Sequence, residues 1–127
     1  MRLATAIAER EEPHSDFGAL ASHARDASEF LKALAHPTRL LILSILCDGE
    51  RSVTELEQLL ALRQPTVSQQ LARLREDGLV KARRQGKTMY YSLGSNDARL
   101  VVEALSRMFG TRRSAVPPPA QIPKSHP

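Results

Sequence analysis

Pro65 near the head of a run and Gly78 just past its end bracket Gln64-Pro65-Thr66-Val67-Ser68-Gln69-Gln70-Leu71-Ala72-Arg73-Leu74-Arg75-Glu76-Asp77 as one helix. Val67, Leu71 and Leu74 recur at i, i+4 and i+7, so they form a single apolar stripe that must face a core. The opposite face carries Pro65, Gln69, Ala72 and Glu76, flanked by Thr66 and Arg73. Around the first turns, Gln64, Thr66, Ser68 and Gln69 offer short hydroxyl and amide groups. Such groups can approach base edges and read donor and acceptor patterns in a major groove. Arg73 and Arg75, further along, suit phosphates. An ordinary amphipathic surface helix has the same pattern, so the flanking sequence must decide.

Upstream, Ser52-Val53-Thr54-Glu55 is a capping box, in which the Ser52 hydroxyl and the Glu55 carboxylate satisfy reciprocal backbone amides. It opens a short helix with Val53, Leu56, Leu59 and Leu60 apolar, ending near Leu60-Ala61. Only Leu62-Arg63 then intervenes, which makes a helix-turn-helix. Downstream, Leu79 to Arg84, Gln85-Gly86 and Lys87 to Leu93 read as a β-hairpin with Gly86 supplying a positive φ in the turn. Arg83, Arg84 and Lys87 surround that turn. The expected fold is therefore mainly α with a β-hairpin wing (α+β), a winged helix-turn-helix.

In this order the motifs resemble the ArsR/SmtB family of small dimeric winged-helix repressors, nearest to its persulfide-sensing and NolR-like branch. The resemblance runs from Leu31 to Leu93 and on to Gly110. It rests on Leu34-Ala35-His36-Pro37-Thr38-Arg39-Leu40, Gln64-Pro65-Thr66-Val67-Ser68-Gln69-Gln70-Leu71, Leu74-Arg75, Gly78-Leu79-Val80 and Tyr90-Tyr91. It implies a homodimer joined through the first and last helices and binding double-stranded DNA. One departure stands in the turn: Arg63 occupies the place where many relatives have a helix-capping serine. An arginine cannot accept the orphan amides, so the cap is weak or passes to a phosphate.

The charge distribution agrees with a polyanion partner. Seven basic residues (Arg63, Arg73, Arg75, Lys81, Arg83, Arg84, Lys87) stand against Glu76 and Asp77 between positions 63 and 87, a local charge of +5 in a chain whose total is +4. A merely solvated surface would spread its charge. One cysteine, no long apolar run and no signal peptide point to a cytoplasmic protein with no membrane partner. No catalytic triad, phosphate-binding glycine loop or carboxylate pair is present, so an enzyme is not expected.

Taken in order, 1–15 reads as a flexible arm, 16–110 as the DNA-binding and dimerisation domain, and 111–127, with five prolines, as a disordered tail. From Asp16 a single helical pattern carries Phe17, Leu20, Ala24, Ala27, Leu31 and Leu34 up to His36-Pro37. His36 reads as a plain helix-end residue. Thr38 to Cys47 is rich in Leu and Ile and should be buried on most sides. Ser95 or Asn96 caps a last helix whose stripe Leu100, Val101, Ala104, Leu105 and Met108, widened by Val102 and Phe109, exceeds what a small core needs. The family resemblance makes that excess a dimer seam, with Leu20 and Ala24 of the first helix opposite.

No cofactor is expected. A thiolate metal site before the recognition helix would need a Cys-x-Cys cluster, and Val53-Thr54-Glu55-Leu56-Glu57 has none. Asp97 and Glu103 lack a histidine beside them, and His14, His23, His36 and His126 are scattered, so metal sensing is not expected. The persulfide-sensing pair of the resembled branch aligns with Ser44 and Gly110, which leaves Cys47 as the only thiol. Cys47 reads first as a small buried hydrophobe. Two further readings stay open: a redox- or sulfur-responsive repressor using Cys47, and a winged-helix module binding RNA or a protein. The leading expectation is a homodimeric repressor of a pseudo-palindromic operator, with half-sites about 34–36 Å apart and no evident metal or dithiol sensor.

Overall fold

A computed structural model describes residues 16–110; the expected arm and proline-rich tail lie outside the described residues. The chain divides into two compact units between Leu34 and Ala35. The first holds α1 (Asp16–Ala21) and α2 (Ala24–Leu34). The single helix expected from Asp16 is thus two, separated by a turn at Ser22-His23. There the His23 N–H donates to the Leu20 carbonyl and the His23 carbonyl accepts from Ala27, both at 2.9 Å. The apolar spacing continues across the break, which is why periodicity alone misses it. Serine and histidine are weak helix formers. Of α2 only Leu34 is buried.

The second unit starts with α3 (Pro37–Leu46). His36 is its N-cap: extended at φ −156°, it turns its Nδ1 to accept the Thr38 N–H at 3.1 Å. A histidine thus takes the capping role usually held by Ser, Thr, Asp or Asn, and Pro37 at the first position has no amide to satisfy. Ile42, Leu43 and Leu46 are buried, whereas Leu41 is 43 % exposed.

A two-residue strand, β1 (Arg51–Ser52), leads into α4 (Val53–Leu60). The capping box forms as expected: Ser52 Oγ accepts from the Glu55 N–H at 3.1 Å, and Glu55 Oε1 accepts from the Ser52 N–H at 2.8 Å. Ala61 closes α4 in the left-handed region at φ 56°. The Ala61 N–H donates to Gln58 and the Leu62 N–H to Glu57, the paired bonds of a Schellman stop. The chain then enters α5 (Gln64–Glu76).

Strands β2 (Val80–Gln85) and β3 (Thr88–Leu93) form the expected hairpin, but its turn is Gly86-Lys87 rather than Gln85-Gly86. Gln85 pairs with Thr88, and Gly86, at φ 65°, takes the first loop position, where a tight hairpin needs the positive φ. The sheet is antiparallel in the order β1-β3-β2. Ser95 then caps α6 (Asn96–Gly110), its Oγ accepting from the Ala98 N–H at 3.0 Å. Gly94 permits a close approach here. Its N–H reaches the Leu79 carbonyl at 2.9 Å, and a Cβ would lie 3.1 Å from the Gly78 oxygen. The core gathers Ile42, Leu43, Leu56, Val67, Leu71, Leu74, Leu79, Val80, Ala98 and Val102, all buried.

Candidate nucleic-acid interface

The apolar stripe of α5 fixes which way the helix faces. Val67, Leu71 and Leu74 are 0 % exposed, so Gln64, Pro65, Thr66, Gln69, Ala72, Arg73, Arg75 and Glu76 are left open to solvent. Ser68 is half-buried, beside Val67 rather than on the crest of the open face. The surface so presented is low in relief at its head, carries amide and hydroxyl groups, and becomes cationic towards its end. Arg63 is the exposed N-cap and makes no side-chain capping bond, as its chemistry dictates. Pro65 contributes no amide, and the Thr66 N–H already donates to the Arg63 carbonyl at 3.1 Å.

The wing supplies the second half of the surface. Strand alternation puts Ala82 and Arg84 on one face of the ribbon and Lys81, Arg83 and Gln85 on the other. Arg84, Gly86 and Lys87 are exposed at the distal end. A groove of about 270 Å³ runs between wing and helix-turn-helix, lined by Val53, Thr54, Glu57, Gln64, Lys87, Thr88 and Met89. It brings Gln64 of α5 and Lys87 of the turn to one opening. Among the expected contacts, then, Gln64 and Lys87 come together across the groove, and Thr66, Gln69, Arg73 and Arg75 share the open side of α5.

Arg83 is placed differently. Its Nε donates to Glu50 Oε2 and its Nη2 to Glu50 Oε1, both at 2.8 Å, while Nη1 donates to Gln85 Oε1 at 2.7 Å. The guanidinium also lies 4.8 Å over the Tyr90 ring. The hydrogen bonds from Arg83 hold the Glu50 carboxyl below the usual carboxylate range, and Glu50 raises Arg83 in turn. The expected turn at Gln85-Gly86 would set Arg83 opposite Thr88; the observed turn at Gly86-Lys87 sets it opposite Tyr90. Glu50 was missed, because nothing local announces the strand that follows it. Thr54, Glu57 and Met89 were likewise not foreseen beside Gln64 and Lys87 in the groove.

On α6 the inward positions are Ala98 and Val102, buried at 0 % and 4 %. Val102, expected only to widen the outer stripe, is instead the helix's own core contact. That leaves Val101, Ala104 and Leu105 half-buried and Leu100 and Met108 at 56 % and 47 % exposure. In the first unit Leu20 (54 %) and Ala24 are also exposed. Cys47 is half-buried rather than fully enclosed. Burial pushes its thiol up; Arg99 opposes this, while Glu103 and Asp48 add to it. Among the described residues no group of three or more His, Cys, Asp or Glu could hold a metal, and no helix is long and apolar enough to cross a membrane.

Comparison with known proteins follows the same lines. Residues 36–82 match the model of the family described as "Bacterial regulatory protein, arsR family". The chain is 46% identical over 91 residues to the biofilm growth-associated repressor of Agrobacterium fabrum, covering 72% of this chain and 78% of the relative. It is also 46% identical over 79 residues to the transcriptional activator HlyU of Vibrio cholerae, covering 62% and 73% of the two chains. Among solved structures, the transcriptional repressor BigR from Xylella fastidiosa superposes with a TM-score of 0.71 at 41% identity, over 74% of this chain and 96% of that one.

Proposed function

The chain belongs to the arsR family of bacterial regulatory proteins, and on that premise we propose that it is a homodimeric, sequence-specific DNA-binding transcriptional repressor. One observation carries the reading: α5 buries Val67, Leu71 and Leu74 completely, so its amide- and hydroxyl-bearing side faces outward beside a cationic wing. Gln64, Thr66 and Gln69, with Ser68 at the margin, read base edges in a major groove. Arg63, Arg73 and Arg75 meet phosphates, and Arg84 and Lys87 bring the wing to the adjacent backbone or minor groove. Two copies pair through the outer stripe of α6, which sets two recognition helices for the half-sites of a pseudo-palindrome. The repressor reading follows the biofilm growth-associated repressor of Agrobacterium fabrum and the repressor BigR of Xylella fastidiosa.

Selection of bound duplexes from a random pool, followed by footprinting of the winner, tests this. A two-fold-related sequence with two protected major-groove segments is expected. Recovery of no sequence preference, or tighter binding to single-stranded RNA, would refute it.

A further inference from the structure

Resting on the DNA-binding reading above, we infer that Glu50 and Arg83 form a latch that orients the wing, and that Arg83 is a positioning residue rather than a phosphate contact. The hairpin is joined to the helix-turn-helix on one side by a very small ladder. Strand β1 contributes only Arg51 and Ser52, opposite Tyr91 and Tyr90 of β3. Two-stranded ribbons twist easily, and two ladder residues are a slight restraint on where a basic tip points.

Glu50 adds what the ladder lacks. It immediately precedes β1, and Ser52 of that strand is the N-cap of α4. From there its carboxylate reaches past β3, the middle strand, to Arg83 on β2, 33 residues along the chain. Both carboxylate oxygens are engaged by Nε and Nη2 at 2.8 Å. A two-point match of planar groups fixes direction as well as distance. Tyr90, the cross-strand partner of Arg83, lies beneath the guanidinium, and Gln85 takes the third nitrogen. Each nitrogen of Arg83 therefore already donates one hydrogen bond, and only the second N–H of Nη1 and of Nη2 is left over, so turning the fork towards a phosphate would break the two-point match to Glu50.

The neighbouring cations are placed for the other task. Arg84 alternates to the opposite face of the ribbon, the face of Met89, which lines the groove with Gln64 and Lys87. Arg84 and Lys87 take no part in the pair. The wing thus divides its basic residues: Arg83 holds the hairpin against the start of the helix-turn-helix, and Arg84 and Lys87 face the nucleic acid.

The two roles have opposite signatures. Binding of the full chain is measured over a range of salt to a duplex selected from a random pool by the wild type. Removing an acidic group near DNA should strengthen binding if only Coulomb forces act. The latch makes Glu50→Gln weaken it, by about threefold or more for a contacting pair. Arg83→Gln should weaken binding while keeping the wild-type salt slope, whereas Arg84→Gln lowers the slope by about one. Arg83→Lys should behave like Arg83→Gln, since it keeps the charge and loses the fork. Equal or tighter binding by Glu50→Gln, a slope loss of one in Arg83→Gln, or full function in Arg83→Lys would overturn the latch. If the wild type binds no duplex, the DNA reading itself falls and the latch with it; binding with the wrong variant pattern removes the latch alone.

Discussion

Arg99 Nη1 donates to the carbonyl oxygen of Cys47 at 3.1 Å, joining residues 52 apart and tying α6 to the end of α3. A cation thereby meets carbonyls that the last turn of α3 leaves without helical partners, where a positive charge is favoured by the helix dipole. The same guanidinium stands 3.7 Å from Glu103, one turn further along α6.

Arg99→Ala should lower unfolding stability by about 1 kcal/mol, less than the roughly 1.5–3 kcal/mol of charged hydrogen bonds because the side chain is partly exposed. Arg99→Lys should retain part of this. Urea unfolding of the two variants measures it; equal stability of Arg99→Ala and wild type would show that water replaces the contact without loss.

Base reading by α5 predicts that Gln69→Ala costs about 1–3 kcal/mol on a selected operator and far less on random duplex. Ser68→Ala should cost less than Gln69→Ala, since Ser68 is half-buried beside Val67. Parallel titrations of both duplexes check this, and equal losses on both would count against base contacts.

At the wing, Arg84→Ala and Lys87→Ala should each reduce the salt slope of log K by about one, with similar loss on all sequences. Lower affinity at an unchanged slope would mean that neither side chain touches phosphate.

The dimer predicted along α6 should fail when a carboxylate is placed in its stripe. Val101→Glu or Leu105→Glu leaves an unpaired charge in an apolar seam. Light scattering should report monomers, and operator affinity should collapse because the half-sites no longer act together. A stable dimer in both variants would move the interface elsewhere.

Burial, with help from Glu103 and Asp48, outweighs the effect of Arg99 and raises the Cys47 thiol above its usual value. The thiol is therefore protonated at neutral pH, and alkylation should be slower than that of a free thiol, accelerating only above the ordinary thiol range. For stability the sign is the reverse of a paired carboxylate: the contribution is present at neutral pH and declines as pH rises through that range, where the unfolded thiol ionises first. Cys47→Ser should leave operator binding unchanged, with or without a persulfide donor or peroxide. Operator release by oxidised wild type that is absent in Cys47→Ser would make Cys47 a sensor.

What the amino-acid order determined by itself is what neighbours within a turn or two decide. The stripe Val67–Leu71–Leu74 orients α5, the capping box starts α4 at Ser52, and Gly86 supplies the positive φ of the hairpin turn. Each depends on spacing, a side chain reaching its own backbone, or a φ that only glycine adopts freely. Tertiary structure decided the rest. Strand β1 exists because β3 is there to pair with two residues that have no strand pattern of their own. Glu50 meets Arg83, and Arg99 meets Cys47, only after segments 33 and 52 residues apart have docked. The outward stripe of α6 separates from the inward one only once Ala98 and Val102 have found the core, because a helix apolar over so wide an arc does not itself say which edge is buried.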